Sequence, residues 1–378
     1  MRAILRSGLL AVGVVAALSA CGKKEEEAGP AAAAPAAEEK VLNVYNWSDY
    51  IAEDTNSGFE AKTGIKVNYD VFDSNEVLET KLLAGRTGYD VVVPSASFLE
   101  RQIQAGVFMK LDKSKLPNLA NMDPEIMERV AKHDPGNEHA VPYLWGTTGI
   151  GYNPEKVKAA LGVDTIDSWS MIFEPENAKK LQSCGLTLLD APGEVIDSAL
   201  IYLGRDPNSE AAEDLAAAEE LLMKIRPFVR YLHSSQYIND LANGEICVAL
   251  GWSGDILQAQ ARGAEAATPV TVAYAIPKEG AIMWFDMLAI PADAPHPNNA
   301  HEYINHLMDP AVIASISNYV AYANGNSASF ELVDEAVRTD PSVYPTPEVK
   351  AKLYPHLAES QDYSRLSNRA WTRFRTGQ

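Results

Sequence analysis

Three short stretches of the chain place an indole close to a carboxylate. Val41-Leu-Asn-Val-Tyr-Asn-Trp-Ser-Asp-Tyr50 carries Trp47, Ser48 and Asp49, and Gly251-Trp252-Ser253-Gly254-Asp255 repeats that order with one glycine inserted. In Met283-Trp284-Phe285-Asp286, Trp284 and Asp286 share one face of an extended segment. An aromatic face attracts a cation through its quadrupole and a carboxylate pairs with its charge, so the combination suits an organic cation. Plainer uses compete. Trp is mostly buried, Asp commonly caps a helix, and Asp286 could lie exposed on an edge strand. The residues alone leave both uses open.

The elements that must position these residues are legible from periodicity. Val41–Tyr45 is a short strand that delivers Trp47 and Asp49 to its carboxyl end, where open α/β sheets bind ligands. A helix near Thr55–Lys62 stops at Gly64, and Ile65, Val67, Tyr69 and Val71 alternate as a strand. Asp73 or Ser74 caps a helix through Leu78 and Leu82, and Asp90-Val-Val-Val-Pro94 is a buried strand. Ser97 and Glu100 are spaced as a capping box for the next helix. This alternation predicts a parallel sheet with right-handed crossovers, which brings Ser95 to the same edge as Trp47 and Asp49. The Gly- and Thr-rich run Pro142–Tyr152 lacks the third glycine of a dinucleotide loop and is read as a crossover between lobes. Residues 153–245 are mainly helical, with a strand at Leu186–Asp190 whose following loop holds Glu194. Ile246–Leu250 is a buried strand leading into Trp252, and Val270–Pro277 and Met283–Pro291 are strands again.

Composition sets the outer bounds. A chain of 378 residues, 47% of them hydrophobic, suffices for one large or two ordinary domains. Its formal charge of −19 argues against nucleic acid, which demands clustered Lys and Arg. Residues 1–20 have a secretory layout, with Arg2 and Arg6 ahead of an apolar run from Leu9 to Leu18. Leu18-Ser19-Ala20-Cys21 resembles a bacterial lipobox, so cleavage before Cys21 and lipidation of its thiol are expected. The membrane contact would be that anchor only. Residues 21–40, rich in Ala, Pro and Glu, read as a flexible tether. In an exported chain the remaining pair, Cys184 and Cys247, reads as a disulfide, the alternative being two buried free thiols. Enzyme motifs are missing. His301-Glu302-Tyr-Ile-Asn-His306 spaces its histidines one residue too far apart for a zincin helix, and neither a G-x-S-x-G elbow nor a P-loop occurs. No catalytic residue, metal or cofactor is expected.

Tyr-Asn-Trp-Ser-Asp-Tyr (45–50), Asp-Val-Val-Val-Pro-Ser-Ala-Ser (90–97), His-Ser-Ser-Gln-Tyr-Ile-Asn-Asp-Leu (233–241), Ala-Leu-Gly-Trp-Ser-Gly-Asp (249–255) and Ile-Pro-Lys-Glu-Gly-Ala (276–281) follow one another in a telling order. The chain from Val41 onward resembles the putrescine/spermidine-binding proteins of bacterial polyamine ABC transporters. That resemblance implies an α/β, two-lobed periplasmic binding protein fold of type II, with the ligand cleft between lobes and a hinge crossed more than once. It puts residues 41–143 with 271–311 in one lobe and 144–270 with 312–378 in the other. Trp47, Ser48, Asp49, Ser95, Trp284 and Asp286 would face the cleft from the first lobe. Glu194, Ser234, Trp252, Asp255 and Tyr322 would face it from the second. The implied function is capture of spermidine or putrescine in the periplasm and delivery to an ABC permease, by a monomer that is not an enzyme. The wide ring of Trp284, where the family has Phe or Trp, tilts the choice toward spermidine. Other readings are a same-fold receptor or sensor for another organic cation, and an exported lipoprotein hydrolase.

Overall fold

The computed structural model describes residues 38–378. The secretory segment, Cys21 and the tether through residue 37 lie outside the described residues. Among the described residues, eleven strands form the sheet: β1 (Val41–Trp47), β2 (Lys66–Phe72), β3 (Val91–Val92), β4 (Ala140–Tyr152), β5 (Leu186–Leu188), β6 (Val229–Leu232), β7 (Val248–Trp252), β8 (Ala273–Ala275), β9 (Ala281–Ala289), β10 (Ala323–Asn324) and β11 (Leu353–Pro355). Their main order is β2-β1-β3-β9-β4-β7-β5-β6, with β8 and β10 on β4 and β11 on β9.

One strand joins two groups. β1 pairs parallel with β2 and β3, and β5 pairs parallel with β6 and β7. Between the groups runs β4, thirteen residues long and buried throughout. Its stretch Ala140–Thr147 pairs antiparallel with β9, while Thr148–Tyr152 pairs antiparallel with β7. The Gly- and Thr-rich run is thus a strand that belongs to both halves. Its glycines serve packing: a Cβ on Gly146 would strike the Trp284 ring, and one on Gly151 would strike Ile256. The shared strand brings the carboxyl ends of the two parallel groups together, and Trp47 at the end of β1 lies edge-on to Trp252 at the end of β7.

Local expectations hold in part. Ser74 caps the helix Asn75–Ala84 by accepting from the Val77 amide at 3.2 Å, and Gly64 ends the helix Thr55–Thr63 in the left-handed conformation. The run Asp90–Pro94 is buried, yet only Val91 and Val92 make ladder bonds, and Val270–Pro277 yields just the three residues of β8. No Ser97–Glu100 capping box forms. The N-cap of helix Ala96–Gln104 is Ser95, and Glu100 instead bonds His133 at 3.0 Å, a tertiary partner that local spacing cannot reveal. His301 is tied into the fold: its Nδ1 donates to the Pro297 carbonyl and its Nε2 accepts from the Asp112 amide.

Cys184 and Cys247 form a disulfide across 63 residues, joining the turn before β5 to the residue that precedes β7. Both flanking strands are buried, so the bridge locks the second parallel group from within. On the chain-entropy argument such a loop adds about 4 kcal/mol at most. Replacing Cys247 with Ser should cost roughly 2–4 kcal/mol of unfolding free energy. Urea unfolding of wild type with and without reductant should reproduce that loss; equal midpoints would show that the bridge contributes nothing.

Candidate functional site

A cleft opens where the two parallel groups meet. Ten of the eleven residues named from the sequence line it: Trp47, Ser48, Ser95, Glu194, Ser234, Trp252, Asp255, Trp284, Asp286 and Tyr322. They come from strand ends, helix starts and loops scattered over more than two-thirds of the chain.

Two of the lining acids are buried aspartates. Asp286 is only 4% exposed and accepts from the Tyr50 hydroxyl at 2.8 Å and from Ser95 Oγ at 2.6 Å. It lies on β9, where every residue is buried, so the edge-strand reading fails. Asp255, 6% exposed, accepts from the hydroxyls of Tyr237 at 2.7 Å and Tyr322 at 2.8 Å. It occupies the first turn of helix Ser253–Glu265, where the macrodipole favours a negative charge. Gly254 makes this possible, because a Cβ there would lie 2.4 Å from the Tyr322 ring. Among the described residues, no lysine, arginine or histidine pairs with either aspartate within salt-bridge distance.

Burial pushes both carboxyls up to about 7. The hydroxyl donors oppose that shift without cancelling it, and each aspartate raises the other or is raised by a neighbouring acid. Glu194, where Thr148 donates its hydroxyl, is likewise raised by burial, while His356 and the hydrogen bonds of Thr148 and Trp252 pull it down.

Aromatic rings wall the cleft. Trp47 stands edge-on to Trp252 at 5.5 Å, Trp252 to Trp284 at 6.5 Å, and Trp284 to Tyr322 at 5.5 Å. Trp47 also meets its core expectation, since it packs on Phe72 and gives its indole N–H to the Val93 carbonyl. The Trp284 N–H is spent on Thr148 Oγ1 at 3.2 Å. With these polar edges bonded inside the protein, the rings offer the cleft faces and edges of carbon. The arrangement can hold an apolar rod with a cationic end.

Asp49 departs from expectation. It lies outside the cleft lining, with a left-handed backbone (φ 54°), and its carboxylate meets Arg262 at 2.6 Å. Gln258, one turn earlier on the same helix, donates to the Asp49 carbonyl. The Trp-Ser…Asp echo is therefore not a chemical echo. Asp255 is matched in the cleft by Asp286, and Asp49 fastens the rim. Sequence reasoning missed Tyr50, Tyr237, Asn75, Glu76 and His356. Tyr50 adjoins a motif already noted and Tyr237 lies within one, but their hydroxyls reach Asp286 and Asp255 only through the tertiary fold. Asn75 bonds both the amide and the hydroxyl of Ser95.

Residues 57–346 match the family described as bacterial extracellular solute-binding protein. The chain is 57% identical over 344 residues to the putrescine-binding periplasmic protein PotF of Escherichia coli (strain K12), covering 90% of this chain and 93% of that one. The solved spermidine/putrescine ABC transporter substrate-binding protein PotD of Streptococcus pneumoniae is 27% identical, with TM-score 0.72 over 90% of this chain and 99% of that one. The Tp0655 (TpPotD) lipoprotein of Treponema pallidum is 25% identical, with TM-score 0.74 over 89% and 99%.

The raised aspartates carry a signature in stability. Unfolded carboxyls release their protons near pH 4, whereas Asp255 and Asp286 hold theirs toward pH 7 in the folded protein. Across that window the folded state binds more protons, so these groups lose stability as pH rises. The melting temperature of the ligand-free protein should fall between pH 5 and 8, and Asp286→Asn should flatten that fall. A slope unchanged by the substitution would place the Asp286 carboxyl in the ordinary range.

Proposed function

The chain belongs to the bacterial extracellular solute-binding proteins, and from that premise we propose that it captures a polyamine, putrescine or spermidine, and hands it to an ABC permease. One observation carries the reading: two buried carboxylates, held by hydroxyls and without a basic partner, in an aromatic cleft. Such a pair calls for a cation from outside. An ammonium at Asp255 and Asp286 would satisfy both, with the methylenes lying against Trp47, Trp252 and Trp284. The second ammonium would lie toward Glu194. Each cation–π contact contributes roughly 0.5–2 kcal/mol when desolvated.

The two lobes, residues 41–143 with 271–311 and 144–270 with 312–378, close over the amine, the last crossing falling inside helix Pro310–Val320. Ligand contacts from both lobes supply the differential affinity that selects the closed form. The protein acts as a monomer outside the cytoplasm, tethered through a lipid on Cys21, and is a receptor without catalysis. The lipoprotein relative from Treponema supports the anchor.

Calorimetric titration of ligand-stripped protein with putrescine, cadaverine, spermidine and spermine tests the assignment. At least one should bind with a defined Kd; the absence of heat with all four ends it. Asp255→Asn and Asp286→Asn should each weaken binding by about 100-fold or more, the scale of a broken buried ion pair, while circular dichroism stays unchanged. Since the incoming ammonium displaces protons held near pH 7, binding at pH 6.5 should release protons, seen as a heat that varies with buffer ionisation enthalpy. At pH 8 that dependence should vanish.

A further inference from the structure

Asn75 reaches the cleft acids through another residue. It is the first residue of helix Asn75–Ala84, whereas Ser95 caps helix Ala96–Gln104 and Asp286 lies on β9. An isolated antiparallel bridge joins Ser95 to Asp286, and the Met287 amide bonds the Pro94 carbonyl at 2.9 Å, so these two backbones are held side by side. Three hydrogen bonds then run in series. The Ser95 amide donates to Asn75 Oδ1 at 3.0 Å, Asn75 Nδ2 donates to Ser95 Oγ at 2.9 Å, and Ser95 Oγ donates to Asp286 Oδ1 at 2.6 Å.

The direction of every bond follows from the first. A backbone amide can only donate, so the Asn75 atom that meets it is the carbonyl oxygen, and the amide nitrogen is left facing the Ser95 hydroxyl. That nitrogen can only donate as well. Ser95 Oγ must therefore accept, and its one proton turns to Asp286. We propose that Asn75 is a positioning residue of the amine site: by orienting the Ser95 hydroxyl as a donor, it favours the ionised Asp286 carboxylate that an ammonium requires. The inference rests on the polyamine reading of the cleft. Without Asn75 the hydroxyl is free to rotate and accept from a protonated carboxyl, so the neutral acid gains what the carboxylate loses. The titratable groups around Asp286 are Tyr50 from the segment after β1, Tyr143 on β4, Glu194 on helix Pro192–Tyr202 and Asp255 on helix Ser253–Glu265. Burial pushes both phenols well above their ordinary range, so they stay neutral. Burial and the two acids favour the neutral form of Asp286; Ser95 opposes them most, followed by Tyr50. Asn75 thus controls the larger of the two opposing contacts.

The test is a double-mutant cycle of Asn75→Ala and Ser95→Ala, read by calorimetric titration with putrescine. Asn75→Ala should weaken binding tenfold or more at pH 6.5 and less than threefold at pH 8.5, where the carboxyl ionises unaided. In the Ser95→Ala background the same substitution should cost less than twofold at either pH. In the ligand-free protein, NMR titration of the Asp286 carboxyl should move to higher pH in Asn75→Ala and in Ser95→Ala alike. Asn75→Asp, which keeps the shape and the bond to the Ser95 amide but draws the hydroxyl proton to itself, should move it the same way. An uncoupled cycle, a loss of affinity independent of pH, or an Asp286 titration equal to wild type in these variants each overturns the proposal. The carboxyl titration uses no ligand, so it decides the role of Asn75 by itself. Failure of wild type to bind any amine would count against the polyamine reading instead.

Discussion

Everything in this molecule is arranged around two carboxylates taken out of water without a counter-charge. Removing an ion from solvent costs several kcal/mol, of order 3 or more even after relaxation, and the protein offsets only part of that with hydroxyl donors. Asp286 receives Tyr50 and Ser95, and Asp255 receives Tyr237 and Tyr322. Neutral donors hold the oxygens in place but leave the charge unanswered, which is why both carboxyls cling to protons up to about pH 7. A site left in that state is unfavourable when empty. Filling it with a cation removes the penalty and gives recognition its driving force.

The fold makes the arrangement affordable by letting neither aspartate stand alone. Asp286 rides on β9, between β3 and β4, and Asp255 starts a helix whose dipole supports it. These two elements belong to different halves of the sheet, joined by the shared strand β4. The aromatic wall also draws on both groups, with Trp47 at the end of β1, Trp284 on β9, Trp252 at the end of β7 and Tyr322 just before β10. The Asp49–Arg262 pair is more than a third exposed, and surface pairs of that kind contribute about 0–1 kcal/mol.

Much of the design is legible without coordinates. The alternation in β2, the buried run at Val91–Val92 and the Ser74 cap follow from periods and side-chain chemistry over a few residues. The disulfide follows from an even cysteine pair in an exported chain. Errors fall where a distant partner outbids a local one. Ser97 and Glu100 have capping-box spacing, but His133 takes Glu100 and the Ser95 hydroxyl goes to Asp286. Asp49 matches Asp255 in motif, yet Arg262 draws it to the rim.

By itself the sequence determined which residue types meet a cation: indoles, acids and small hydroxyls at the ends of strands. Those assignments depend on chemistry carried within ten residues or so of chain. Only the tertiary structure decided which acids are buried in the cleft and which one fastens the rim. Partner choice between charges depends on distance and desolvation, and both are created by folding rather than by neighbourhood along the chain.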